Sequence, residues 1–255
     1  LVSICWHALG GAWRFADSHI SVETFRIEAF GYSFDCRATH MSDPIDVVFL
    51  DAAGTLFEVR GSVGEIYSRI ARRYGVEAEP EELEEAFSTA FRMKSAEGFP
   101  TEGAEDLAHA ERCWWMDVVR NVLADRMSED VLADYFHEVF EAFRSAESWE
   151  LFPDTTSGLC ELLSLGYRLG VISNYDSRLH DLLSGLGVLS FFEAVTISWR
   201  AGASKPDERI FRRALESMRV EASHAIHVGD SPVDDVEGAR RAGLRAVLID
   251  RCGCY

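Results

Sequence analysis

Apolar residues recur with two different spacings along this chain, and the switch between them divides it into parts. Asp46-Val47-Val48-Phe49-Leu50 is a short, β-branched apolar run ending at Asp51, the pattern of a buried strand. From 62 to 146 the spacing turns helical and no strand pattern intervenes. A first helix is predicted from Ser62 through Ile66, Ile70 and Tyr74, with Gly75 placed to end it. A second starts near Pro80, carries Glu81 and Glu82 in its first turn and Leu83, Phe87 and Phe91 on one face, and stops at Gly98-Phe99-Pro100. A third covers 104–124, and a fourth follows Ser128 with Val131, Tyr135, Val139 and Phe143 as its buried stripe.

From 151 onward strand and helix alternate: helices at 156–166, 178–186, 207–218 and 233–242, strands at 169–173, 194–197, 225–229 and 246–249. Such alternation implies a parallel sheet joined by right-handed crossovers. The fold class predicted is α/β, with a five-stranded parallel sheet built from 42–60 and 151–255. An α-helical block, 61–150, is inserted between its first two strands as a cap over the ligand edge. Residues 1–41 sustain neither period and read as an unpatterned extension; Met41, just before the first strand, is the expected natural start.

Composition narrows the partners. Across 255 residues, 43 Asp and Glu face 25 Lys and Arg, for a net charge of -18. A chain this acidic repels nucleic acid, so any phosphate it handles must be met by a locally positive site or a metal ion. The six cysteines, at 5, 36, 113, 160, 252 and 254, lack zinc-site spacing and are expected to be reduced thiols, Cys252 and Cys254 included. No stretch reaches the roughly twenty apolar residues a membrane span requires, so a soluble, cytoplasmic protein without a membrane partner is expected.

Four segments carry candidate chemistry. Asp51-Ala52-Ala53-Gly54-Thr55-Leu56 is either a strand followed by a Gly-Thr turn or a carboxylate delivered to the sheet's ligand-binding mouth. Ser173-Asn174 ends the second strand, where a hydroxyl either caps a turn or binds a phosphoryl oxygen. Lys205-Pro206 holds one of only two lysines, the other being Lys94; it is either a solvated residue before a helix or a compact point charge chosen over Arg. The run His227 to Gly243 brings Asp230 to a strand end, with Asp234 and Asp235 just beyond. A helix dipole accounts for the last two but not for Asp230, whereas a hard cation such as Mg²⁺ accommodates such crowded carboxylates.

In this order and spacing, Asp51-x-x-Gly54-Thr55-Leu56, Ser173-Asn174, Lys205-Pro206 and Gly229-Asp230-Ser231 through Asp235 resemble the four motifs of the haloacid dehalogenase (HAD) superfamily, over about 45–250. The helical insert is similar to that superfamily's C1-type cap. Phe99-Pro100 and Trp114-Trp115-x-Asp117-Val118-Val119 resemble the branch of haloacid dehalogenase-like hydrolase domain-containing protein 3 and the rhythmically expressed gene product.

The resemblance implies a Rossmann-like core and a Mg²⁺-dependent hydrolase of small phosphorylated substrates working through a covalent aspartyl-phosphate. Asp51 would be the nucleophile and a metal ligand, joined by the backbone carbonyl of Ala53, by Asp230 and by Asp235. Ser173 and Lys205 would hold the phosphoryl oxygens, with Thr55 and Asn174 completing the substrate site. One departure matters: the superfamily's phosphatases usually carry a second Asp two residues after the nucleophile, and here that residue is Ala53. Its acid-base help is worth about 10²–10⁴ in rate. The alternatives are a catalytically weak HAD-like protein that binds a phosphorylated ligand or a protein partner, or a dehalogenase or phosphonatase-type enzyme, the latter with Lys94 as the only cap lysine. Trp114, Trp115 and Phe99 are candidate pocket or core aromatics, and His109 and His137 are candidate proton donors or polar-face residues.

Overall fold

The computed structural model describes residues 3–5, 44–96, 107–123, 126–251 and 253. Its strands are β1 (Ser3–Cys5), β2 (Val47–Leu50), β3 (Phe57–Val59), β4 (Trp149–Leu151), β5 (Arg168–Ser173), β6 (Ala194–Ile197), β7 (Ala225–Gly229) and β8 (Arg245–Asp250). Six of them form one parallel sheet in the order β1-β8-β7-β2-β5-β6. The five predicted strands are all present; β1 is an addition, since a three-residue segment paired through its backbone leaves no periodicity to read.

Side chains of β2 alternate between the two layers that cover the sheet. Val48 and Leu50 join one apolar cluster with Leu169, Val171, Leu159 and Leu182. Val47 and Phe49 join the other with Ile172, Ile210, Phe211 and Ala239. The first layer is supplied by α5 (Thr155–Ser164) and α6 (Leu179–Gly185), the second by α8 (Glu208–Met218) and α9 (Gly238–Arg241); α7 (Ser198–Ala201) sits between them in sequence. Burial on both faces is why β2 and β5 read as unbroken apolar runs.

The cap is built from α1 (Val63–Ala71), α2 (Pro80–Ala96), α3 (Leu107–Leu123) and α4 (Glu129–Arg144). Ser62 caps α1 by accepting from the Glu65 amide, and Gly75 ends the following turn in the left-handed region at φ 77°. In α4 the buried set is Leu132, Tyr135, Phe136, Val139 and Phe140, whereas Val131 and Phe143 are only partly buried. The stripe is therefore rotated from the one expected, because adjacent pairs such as Tyr135-Phe136 widen the apolar face. Residues 98–100, predicted to stop α2, lie outside the described residues, as does Met41.

Two differences bear on the site. β3 and β4 form an antiparallel ribbon through which the chain leaves and re-enters the core, although neither segment reads as a strand in the sequence. The helix expected over 233–242 is a π-helical turn, Pro232–Glu237, followed by the short α9. Its wide first turn starts where Ser231 accepts from the Asp234 amide.

Candidate active site

Parallel pairing sets the site. Leu50 lies opposite both Val171 and Val228, so β2, β5 and β7 run out at one edge and place Asp51, Ser173-Asn174 and Asp230 side by side. The Asp51 amide donates to the Val228 carbonyl at 2.9 Å, carrying the register one residue beyond the strand. Two glycines leave room for carboxylates. Gly54 turns the chain at φ 84°, and a Cβ there would meet Asp230 Oδ2 at 2.6 Å. A Cβ on Gly229 would meet Asp235 Oδ2 at 2.3 Å.

Lys205 is buried at the centre of this edge. Its Nζ donates to Asp51 Oδ1 and to Asp235 Oδ1, each at 2.6 Å. Burial alone would lower its pKa, but the two carboxylates outweigh that and raise it, so the ammonium stays charged. Asn174 holds the lysine main chain from both sides, accepting from its amide at 2.7 Å and donating to its carbonyl at 2.9 Å. Asp235 accepts from the Ser231 amide at 2.9 Å and lies 2.8 Å from Nε2 of the fully buried His227. Burial works to raise its pKa, yet Lys205 and His227 prevail and hold it well below the usual carboxylate range.

Asp230 is placed differently. The Thr55 hydroxyl donates to its side chain at 3.2 Å, yet burial with the nearby charges of Asp51 and Asp235 pushes its pKa up to about 6. Burial also raises that of Asp234. One carboxylate oxygen from each of Asp51, Asp230 and Asp235 lies within 4.8 Å of those of the other two. One ammonium, paired with two of three clustered carboxylates, leaves excess negative charge among hard oxygen donors, the donor set Mg²⁺ favours, so these residues fit that ion.

Each predicted site residue thus reaches this edge, with distinct surroundings. Thr55 turns its hydroxyl to Asp230, Asn174 commits its amide to Lys205, and Ser173 is buried at the end of β5. Ala53 opens onto a cavity of about 360 Å³ that runs from Gly54 and Asn174 up into the cap.

The cavity walls are aromatic, including Tyr67, Phe87, Phe91, Trp115, Phe140 and Phe143. Of the adjacent tryptophans, Trp114 is buried in the cap core and Trp115 faces the cavity. Phe99 lies outside the described residues. His109 and His137 are exposed on cap helices and do not line the cavity; Lys94 donates to Asp117 at 2.9 Å and does not line it either.

Sequence reading missed the residues that join cap to core. Glu111 of α3 is buried and accepts from the Ser177 amide at 2.6 Å and its hydroxyl at 2.5 Å. Burial, then the charge of Asp176, raises the Glu111 pKa against those two bonds. Trp115 Nε1 donates to Asp176 at 2.7 Å. Asp176 also pairs with Arg178, whose guanidinium lies 4.2 Å from the Phe140 ring centre and 4.9 Å from that of Trp115. The one signal available was Asp176-x-Arg178 directly after Ser173-Asn174. Arg251 was missed too; it donates to the Thr55 carbonyl and to Asp154, each at 2.7 Å, pinning the loop after Asp51.

Among the described residues, Cys113 and Cys160 are free thiols, and no helix is long and apolar enough to cross a membrane.

Comparison with known proteins gives a consistent picture. A family model described as haloacid dehalogenase-like hydrolase matches residues 45–243. Haloacid dehalogenase-like hydrolase domain-containing protein 3 of Danio rerio is 36% identical over 83% of this chain and 87% of its own length. A phosphoserine phosphatase of Thermus thermophilus is 36% identical over 60% of this chain and 61% of its own. Among solved structures, the HAD phosphatase of Thermococcus onnurineus shares the fold, with a TM-score of 0.57 and 24% identity over 83% of this chain and 89% of that one.

Proposed function

The chain belongs to the haloacid dehalogenase-like hydrolase family, and from that premise we propose a Mg²⁺-dependent hydrolase of small phosphorylated molecules with Asp51 as its nucleophile. The observation that carries this reading is the sharing of Lys205 between Asp51 and Asp235 with Asp230 alongside, three carboxylates converging from the ends of β2 and β7 and from the π-helical turn.

The residues divide the work. Asp51 attacks phosphorus through one carboxylate oxygen while the ester oxygen departs with the P–O bonding pair, leaving an aspartyl-phosphate. Water then attacks phosphorus and the Asp51 carboxylate leaves. Lys205 orients the nucleophile and, with Ser173, offsets charge on the phosphoryl oxygens. When bound, Mg²⁺ held by Asp51, Asp230, Asp235 and the Ala53 carbonyl would supply further positive charge at the phosphoryl group. Ala53 offers no proton to the departing oxygen, so the reaction depends on a good leaving group.

Turnover of p-nitrophenyl phosphate with Mg²⁺ tests the reading, because that leaving group needs no acid. Wild type is expected to turn over and Asp51→Asn to lose activity by at least about 10³-fold. Equal inertness of the two across a panel of phosphate esters would overturn the assignment and favour a phospho-ligand binder.

A further inference from the structure

Ala53 and Gly54 stand where the carboxylate cluster opens into the cap cavity, so whatever part of a substrate leaves Asp51 lies against the walls described above. Those walls are aromatic at close quarters. Phe91 stacks with Phe87 and with Trp115, at ring-centre distances of 5.6 and 5.8 Å and interplanar angles near 23°. Phe143 and Trp149 close the core side at 6.0 Å from each other.

Charged groups on the same walls are few. Arg178 is engaged by Asp176, and Glu58 adds a second acid, so among the described residues the cavity presents no spare cation to a second phosphate or carboxylate. At its inner end Ala53 contributes only a methyl group. Tyr67 and Tyr175 also reach the cavity, and burial raises both of their pKa values, which makes their hydroxyls poorer acids.

We infer that the substrate is an aryl phosphate, a phosphate monoester of a phenol, with its ring seated among Phe87, Phe91, Trp115 and Phe143. This rests on the nucleophile reading above and adds the substrate class. Aromatic walls favour a flat ring through offset and edge contacts. A phenolate leaves without protonation far more readily than an alkoxide, which removes the need for an acid at residue 53. In the first step the Asp51 oxygen forms a bond to phosphorus as the aryl O–P bond breaks. The bonding pair departs on the phenolate, which takes its proton from solvent. Water hydrolyses the acyl phosphate in the second step, giving inorganic phosphate and the free carboxylate of Asp51.

The test compares 1-naphthyl phosphate, cyclohexyl phosphate and acetyl phosphate on the full chain with Mg²⁺. Cyclohexyl phosphate fills a cavity but has an alkoxide leaving group; acetyl phosphate has a good leaving group but no ring. The expected result is a kcat/KM for 1-naphthyl phosphate at least about tenfold above each of the others. Phe91→Leu and, as a second variant, Phe87→Leu are each expected to raise KM for 1-naphthyl phosphate about tenfold relative to acetyl phosphate, the scale of one aromatic pair. Ala53→Asp is expected to narrow the ratio of naphthyl to cyclohexyl turnover. Turnover of acetyl or cyclohexyl phosphate equal to or above that of the naphthyl ester, with loss in Asp51→Asn, overturns the aryl assignment and leaves the hydrolase reading standing. So does an unchanged naphthyl KM in both phenylalanine variants. Inertness toward all three compounds and toward p-nitrophenyl phosphate overturns both.

Discussion

Replacing Lys205 with Met removes the single ammonium shared by Asp51 and Asp235 while keeping a stem of similar length. Both ion pairs measure 2.6 Å, and the side chains of Lys205, Asp51 and Asp235 are 3%, 10% and 2% exposed, so water does not take the ammonium's place. Removing one partner of a buried pair costs about 3–5 kcal/mol, because the remaining charges are left uncompensated. The expected result is a loss of that size in urea denaturation followed by tryptophan fluorescence. Adding Asp51→Asn to the Lys205→Met chain deletes one of the stranded charges and is expected to return at least about 1 kcal/mol, a coupling typical of residues in direct contact. Saturating Mg²⁺ is expected to recover part of the rest, about 2.7 kcal/mol at a hundred times its dissociation constant. A Lys205→Met chain within about 1 kcal/mol of wild type would refute the reasoning, since that is the value of an exposed pair.

Three other consequences can be measured. On the proposal that Asp230 is a Mg²⁺ ligand, protons compete with the ion for it: with its pKa near 6 in the metal-free protein, Mg²⁺ affinity by calorimetry is expected to fall about tenfold from pH 7 to pH 5, and an unchanged affinity counts against Asp230 as a ligand. The sign for stability is the reverse. A carboxyl whose pKa is raised on folding favours the folded state below that pKa, so its penalty of about 3 kcal/mol at most is present at neutral pH and fades as pH falls from about 6 toward 3.8. At the join between cap and core, Glu111→Ala removes the buried carboxylate that accepts from the amide and hydroxyl of Ser177, an exposed residue whose donors water can reach. The change is expected to cost about 1–3 kcal/mol in all in denaturant unfolding, two hydrogen bonds at about 0.5–1.5 kcal/mol each, and a loss below about 0.5 kcal/mol would show that water replaces the carboxylate at no cost.

Much of the core was legible because burial on both faces makes strands apolar without interruption. Val47–Leu50 and Arg168–Ser173 announce themselves, and the polar residues that end them stand out by contrast. Lys205 was legible through rarity. The ribbon of β3 and β4 was not, since each strand is three residues long, with one side buried and the other exposed, and is defined by its partner some ninety residues away. The π-helical turn was hidden for a related reason: apolar spacing registers a helix but does not distinguish the wider turn that begins at Ser231. Glu111 and Ser177 are 66 positions apart and belong to different layers, so neither residue's neighbours predict the contact. In α4 the period was right and the phase was not, because Leu132, Phe136 and Phe140 compete for the same face as the residues chosen.

Gly54 and Gly229 leave the site with an unusual genetic exposure. Neither residue supplies a reacting atom, yet each occupies the volume in which a methyl group would displace a carboxylate. A survey of inactivating changes in this chain should therefore find alanine at 54 and 229 ranking with the loss of Asp230 and Asp235 themselves. A chain carrying every acidic residue and the lysine is still expected to lose the placement of its carboxylates if either glycine is changed. Inspection of reactive side chains alone would pass such a sequence as competent.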